Sequence, residues 1–186
     1  MTRLAATLAA IDAANAADPD RTEGHPAALL YGERMTAELD RLFPDAADTL
    51  RIAARGQHIE RWTSPRASYP EGKEGYLTWR RDLAAFHAER LAGIMAAQGY
   101  GPDEIAEVGR MVRKEAIKRD PAVQALEDVI CFTFLRWYFQ PFADGRDPAQ
   151  LLKIVEKTAR KMSAPARARA LAEFSLPAPF AAAFGG

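Results

Sequence analysis

The stretch Ala53-Ala-Arg-Gly-Gln-His-Ile-Glu-Arg-Trp62 lies at the centre of the helical pattern of this chain. Its small and apolar residues predict a helix over 46–62 that packs closely on several sides. A loop dense in turn formers and cations follows over 63–75, and Pro65 and Pro70 stiffen it. Because polar groups at a helix end beside a stiff basic loop are typical of an anion pocket, we expect a binding site here.

Helical spacing of apolar residues continues on both sides of this stretch, without sustained alternation of period two. The sequence therefore predicts an all-α fold of seven or eight helices. Proline and glycine mark the boundaries, and the predicted helices lie near 3–17, 26–43, 46–62, 76–98, 102–117, 121–139, 148–161 and 164–174. We expect one domain over 1–186, with a core of about 25–145, C-terminal helices at 146–175 packed on it, and an irregular tail at 176–186.

Composition limits the classes of function. With 48% hydrophobic residues, the chain can bury a core and is not expected to be disordered. Lys plus Arg and Asp plus Glu each number 25, so the net charge is zero, which argues against a nucleic-acid binder. No stretch predicts a membrane span. The single cysteine, Cys131, excludes a disulfide framework, and a cytoplasmic location is expected.

Polar residues interrupt four apolar helices, at Glu33, His58, His87 and the pair Glu127-Asp128. A buried carboxylate needs a partner, because burying it alone costs several kcal/mol. These groups can satisfy one another as a structural hydrogen-bond network, or they can coordinate a metal ion. For any one of them taken singly, a structural role is the commoner one.

Cations are spaced so that they can surround the same site. Gln57 and Arg61 are four residues apart, on one helical face, and Arg80 and His87 are seven apart on another. With Lys114 and the loop residue Arg66, they would form a cationic cup for phosphate or carboxylate. The alternative is that these cations only keep the protein surface solvated, and this interpretation is favoured for Lys73. Tyr69 can stack on a flat ligand or pin the loop to the core.

Several motifs resemble the family catalogued as domain of unknown function 4202. The resemblance covers nearly the whole chain, and the family label implies no established activity. The motifs are Tyr31-Gly-Glu-Arg-Met-Thr, the stretch Ala53–Trp62, Pro65-Arg66, Tyr69-Pro70, Gly75-Tyr76, Trp79-Arg80 and Gln124-Ala-Leu-Glu-Asp-Val129.

The order of these elements is also distantly similar to the all-helical HD superfamily, whose histidines and aspartates hold metal for phosphoester hydrolysis. The resemblance implies one divalent ion, Mn, Fe, Ni, Zn or Mg, and its ligands here would be Glu33, His58, His87 and Asp128. Gln57-His58 stands where that superfamily has its His-Asp pair. Because the tandem pair itself is missing, a relative without catalysis is the alternative.

Two functions therefore compete. The first is an HD-like, metal-dependent phosphohydrolase acting on a small phosphorylated or nucleotide substrate, with Glu127 as general base beside Asp128. The second is a non-catalytic module that binds an anionic small molecule or a protein partner. The expected substrate-binding residues are Gln57, Arg61, Arg66, Tyr69, Arg80 and Lys114. A homodimer is left open.

Overall fold

A computed structural model of the chain describes residues 1–185. The chain divides into two compact units, Met1–Glu115, called unit 1, and the residues from Ala116 onward, called unit 2. The all-α prediction is confirmed, since a pair of two-residue strands is the only sheet within the described part. The same residues form ten α-helices, where the sequence predicts seven or eight.

Unit 1 holds five α-helices and the small sheet among its described residues. α4 packs on α5, and α3 packs on both α2 and α5. The elements are α1 (Arg3–Asn15), β1 (Arg21–Thr22), β2 (His25–Pro26), α2 (Ala27–Leu42), α3 (Asp48–Arg55), 3-10 turns at Arg61–Thr63 and Arg66–Ser68, α4 (Gly72–Ala97) and α5 (Pro102–Arg113). The fully buried side chains of this unit include Ile11, Met35, Leu39, Ile52, Ile59, Leu91, Met95 and Met111.

The helix predicted over 46–62 is shorter than expected. α3 ends at Arg55, and a tight turn at 56–60 leads into the 3-10 turn Arg61–Thr63. The amide of Ile59 donates to the carbonyl of Gly56 at 3.0 Å, and Glu60 has a left-handed φ of 48° that ends the turn. The turn thus runs from Gly56, which ends α3, to the left-handed Glu60, and it interrupts the helix although the apolar pattern continues.

The predicted loop at 63–75 is also shorter, because α4 begins at Gly72. The indole N–H of Trp79 donates to the carbonyl of Ser64 at 2.9 Å and ties this loop to α4. Gly75 lies so close to the carbonyl oxygen of Pro70 that an added Cβ would stand 1.9 Å from it. The loop is thus held against the first turn of α4 by direct backbone contact.

Unit 2 is described by α6 (Pro121–Thr133), a π-helical turn (Phe134–Tyr138), α7 (Phe139–Ala143), α8 (Pro148–Lys161), α9 (Ala164–Glu173) and α10 (Ala178–Phe184). The predicted helices at 148–161 and 164–174 are confirmed to within one residue. The helix predicted over 121–139 changes to π geometry at Phe134. The prediction of an irregular tail is wrong, since α10 forms there with Phe184 buried.

No helix in residues 1–185 is both long enough and apolar enough to cross a bilayer.

Candidate functional site

Unit 1 contains a cavity of about 440 Å³. Six of the residues that the sequence singles out lie around it together. The lining side chains are Gln57, His58, Arg61, Arg80, Arg81, Leu83, Ala84, Ala85, His87, Val112, Arg113, Lys114 and Glu115. They come from the turn after α3 and the 3-10 turn that follows it, from the middle of α4, and from the C-terminal end of α5 with the two residues after it. A cavity of this volume lies in the range of small-molecule sites, which run from about 300 to 1,000 Å³.

The turn at 56–60 places Gln57 and His58 against α4. A Cβ added to Gly56 would stand 2.4 Å from Cδ2 of Leu91, so only glycine allows this close approach of turn and helix. The amide of Glu60 donates to the side-chain oxygen of Asn15 at 2.9 Å. The carboxylate of Glu60 accepts a hydrogen bond from the guanidinium of Arg90 at 2.9 Å. The turn is therefore fixed from α1 and from α4.

Two imidazoles lie side by side in this cavity. The ring of His58 stacks on the ring of Tyr31, with centroids 3.8 Å apart and planes within 16°. The centroid of His87 is 6.2 Å from that of His58. His87 projects from α4 and is 3% exposed, whereas His58 is half-buried.

Both imidazoles are neutral at neutral pH. Burial, and then the positive charges of Arg61 and Arg80, together lower the pKa of His87 to about 3. Burial also lowers the pKa of His58 well below its ordinary value, as do the charges of Arg61 and Lys114. Desolvation and nearby cations both disfavour the protonated ring, so neither histidine carries charge in the folded protein.

The positive charge of the cavity rests on its arginines and Lys114. Burial, and then the charge of Arg80, lowers the pKa of Arg61, whose guanidinium carbon lies 4.8 Å from the ring centre of Trp79. Within the described residues, no carboxylate forms an ion pair with Arg61 or Arg80. By contrast, Arg81 contacts Asp82 at 3.2 Å, and Arg113 contacts Glu115 at 2.6 Å.

Two buried polar atoms at the cavity have no hydrogen-bond partner in the described part of the chain. They are Oε1 of Gln57 and Nε2 of His87, and Gln57 is 6% exposed. Buried polar atoms in folded proteins are nearly always satisfied by protein, water or ligand. These two atoms therefore mark where a bound molecule would make hydrogen bonds.

Arg66 and Tyr69 do not line the cavity. The guanidinium of Arg66 donates to the carbonyls of Tyr69 at 2.9 Å and Pro70 at 2.8 Å, within its own loop. Its donors thus brace the loop backbone. A substrate-binding role for either residue stays a prediction that no contact in the structure supports.

Glu33 was expected to be buried among apolar residues, but its side chain is exposed, with Arg55 at 4.0 Å. The buried carboxylate of α2 belongs instead to Glu38, which lies five residues further along and on a different face of the helix. That carboxylate forms an ion pair with Arg41.

Glu127 and Asp128 are buried, as expected, and they belong to unit 2. Both oxygens of Asp128 accept hydrogen bonds, from the backbone N–H of Ser163 at 2.8 Å and from its hydroxyl at 2.6 Å. The side-chain amide of Gln124 donates to the same carboxylate at 3.0 Å. Lys161 lies 3.6 Å from Glu127. Asp128 thus holds the residue that caps the N-terminus of α9.

At this cavity, His58 and His87 are the two expected metal ligands that lie close together. Among residues 1–185, no group of three or more His, Cys, Asp or Glu side chains could hold one. Two imidazoles surrounded by Arg61, Arg80 and Lys114 would bring a cation into a positive field. Glu115, the carboxylate at this cavity, is paired with Arg113. The four-ligand metal site stays a prediction without support from these contacts.

Sequence reasoning missed several residues of the site. Tyr31, which stacks on His58, stood out only as part of a family motif. Arg81, Val112, Arg113 and Glu115 line the cavity without a pattern that would have singled them out. These residues can be recognised only once the middle of α4 and the C-terminal end of α5 lie together in the fold.

Comparison with protein families gives one result, a match of residues 5–183 to the family described as Domain of unknown function (DUF4202). The chain belongs to this family. The DUF4202 match spans both units and every residue that lines the cavity. No curated protein matches the chain, and no solved structure matches it.

Proposed function

We propose that unit 1 binds a small phosphorylated anion in its cavity. The observation that supports this most directly is the pair Arg61 and Arg80. Both guanidinium groups line the same cavity, their charges are close enough that Arg80 lowers the pKa of Arg61, and no described carboxylate pairs with either.

Two like charges held together in a partly buried cavity repel each other, and an anion between them removes that repulsion. A phosphate monoester carries a charge of about −1.5 to −2 at pH 7, so it balances both arginines, whereas a carboxylate balances one. The planar guanidinium group also donates two parallel hydrogen bonds to phosphate oxygens. The neutral histidines complete the site without adding to the charge.

Calorimetric titration of the purified protein with methyl phosphate tests the proposal. We expect saturable binding, and we expect Arg80→Gln to weaken it by about tenfold or more, as for the loss of a charged hydrogen bond. Lys73→Gln is the matched control, because Lys73 lies on the same helix, is exposed and does not line the cavity. Equal affinity in the two variants would contradict the proposal.

Metal-dependent phosphoester hydrolysis, as in the HD superfamily, is the competing proposal. The neutral state of His58 and His87 favours it, because the neutral imidazole is the form that binds metal. Metal analysis of protein purified without an affinity tag separates the two. Stoichiometric metal that His58→Ala removes, together with hydrolysis of phosphoesters, would support the hydrolase. Methyl phosphate binding without metal and without turnover would support the binding module.

A further inference from the structure

We infer that the ligand of this cavity is a phosphorylated sugar or polyol, whose hydroxyl groups bond to Gln57 and His87 while its phosphate lies between Arg61 and Arg80. The inference rests on the proposed function and adds to it the chemical class of the ligand.

The first support is the pair of unsatisfied buried atoms. Oε1 of Gln57 accepts hydrogen bonds and cannot donate, so a phosphate oxygen cannot satisfy it. It needs a donor, which a hydroxyl supplies and a phosphate dianion does not. Nε2 of His87 can be either a donor or an acceptor in the neutral ring, and a hydroxyl bonds to both forms. Hydroxyl groups are therefore the complement of both atoms.

The second support is the size of the cavity. Its volume of about 440 Å³ lies within the range of sites for whole small molecules and leaves room beyond a phosphate group. Part of the remaining wall is aliphatic, at Leu83, Ala84, Ala85 and Val112, and the rest is formed by His58 and the charged residues Arg81, Arg113, Lys114 and Glu115. A compact carbon skeleton that carries hydroxyl groups fits between the aliphatic side chains and the amide of Gln57.

A series of phosphate esters tests the inference. Methyl phosphate, glycerol 3-phosphate and ribose 5-phosphate carry the same charged group with increasing numbers of hydroxyls. We expect the two hydroxylated esters to bind the wild-type protein about tenfold or more tightly than methyl phosphate, because a site with unpaired polar groups discriminates against a ligand that leaves them unpaired. Unphosphorylated glycerol and ribose should bind far more weakly than their esters.

The variant Gln57→Leu removes the amide and keeps a side chain of similar size. Within this variant, the ratio of the affinity for the hydroxylated esters to the affinity for methyl phosphate should fall close to one. Gln150→Leu is the control, since this glutamine is exposed and lies on α8 in unit 2.

The possible outcomes distinguish a failure of the inferred ligand class from a failure of the proposed phosphate binding. Binding of methyl phosphate with no preference for the hydroxylated esters would overturn the ligand class and leave phosphate binding intact. Failure of all three esters to bind would overturn the proposed function, and this inference with it. The series on the wild-type protein decides both points even if Gln57→Leu does not fold.

Discussion

His87 shows at the scale of one residue how the cavity holds its charge. Its imidazole is buried beside arginines that no described carboxylate neutralises, so the ring remains unprotonated and the positive charge stays on the guanidinium groups. A protonated ring would add a further like charge to a desolvated site. The neutral ring instead offers a hydrogen-bonding nitrogen to whatever the arginines attract.

This low pKa predicts a loss of stability in mild acid. The folded pKa of His87 is about 3, and the ordinary value in an unfolded chain is 6.5. Between these values the unfolded chain binds a proton that the folded protein does not, so stability is full above pH 6.5 and falls as the pH decreases. For this one group, the free energy of unfolding should fall by about 1.4 kcal/mol for each pH unit below 6.5.

Urea denaturation near pH 7.5 and near pH 5.5 measures this effect. The variant His87→Gln cannot take up the proton, so its stability should depend less on pH than that of the wild type. His25→Gln, at an exposed position in β2, should keep the wild-type pH dependence. Equal pH dependence in the wild type and His87→Gln would show that His87 is not held neutral by the fold.

For Asp128, the contacts in the structure predict a structural role, whereas the expected metal site predicts a role in binding. Its carboxylate bonds to the backbone N–H and hydroxyl of Ser163, so Asp128→Ala should lower the free energy of unfolding by about 1–3 kcal/mol. The folded variant should bind methyl phosphate within about twofold of the wild type. Asp144→Ala, which removes an exposed carboxylate of unit 2, is the control for charge.

Thermal unfolding and calorimetric titration of the same samples give both readouts. Loss of ligand binding or of metal in folded Asp128→Ala, with stability unchanged, would assign Asp128 to the site and contradict a structural role.

At the scale of elements, the turn at 56–60 lies against α4 and carries two residues of the cavity lining. Gly56 lets the side chain of Leu91 lie against the turn backbone, which carries Gln57 and His58 toward α4. Leu91 is fully buried, so it has little room to move away. The position of the two site residues therefore depends on the absence of a side chain at 56.

Gly56→Ala should destabilise the protein by about 1–3 kcal/mol, as overpacking of a full core does. The φ of Gly56 is −92°, a value that alanine also adopts. The loss of stability should therefore come from the contact with Leu91 and not from backbone strain. Leu91→Ala makes room for the new methyl group, so the double variant should lose less stability than the sum of the two single changes. Additive losses in chemical denaturation would show that the two sites do not couple.

The helices that were predicted most accurately from the sequence are those that begin with a recognisable capping residue. α8 and α9 begin after Asp147 and Ser163, whose side chains accept from backbone N–H groups of the first turn, and both helices have proline near the start. The break after α3 carries no such mark, because it depends on the packing of Gly56 against Leu91. α10 was missed because its pattern, Ala178–Phe184, is short and follows a proline.

At the scale of the molecule, the charges balance to zero and yet leave a positive cavity in unit 1. Many other cations are used in ion pairs, as Arg55 is with Asp12 at 2.6 Å. Among the described residues, Arg61 and Arg80 have no such partner, although the neighbouring Arg81 pairs with Asp82. A local charge of this kind attracts small anions without making the whole protein a polyanion binder.

The cluster of polar residues around 57–61, Arg80 and His87 could be predicted from sequence, because their spacing and their apolar surroundings were visible there. The division of the chain into two units could not be predicted in this way. Glu127 and Asp128 belong to unit 2, and the residues that line the cavity belong to unit 1. The division of a chain into units depends on contacts between residues that are distant in sequence. The local periodicity of apolar residues carries no information about those contacts.

The central claim is that the cavity around Arg61 and Arg80 binds a phosphorylated anion, and the histidines of the chain provide the most direct measurement. There are three, His25, His58 and His87, so NMR of imidazole ring signals reports on the cavity and, through the exposed His25, on a position that does not line it. On addition of methyl phosphate at constant pH and ionic strength, we predict that the signals of His58 and His87 shift and saturate while that of His25 does not move. Unchanged signals from both cavity histidines at saturating ligand, or a shift confined to His25, would contradict the account.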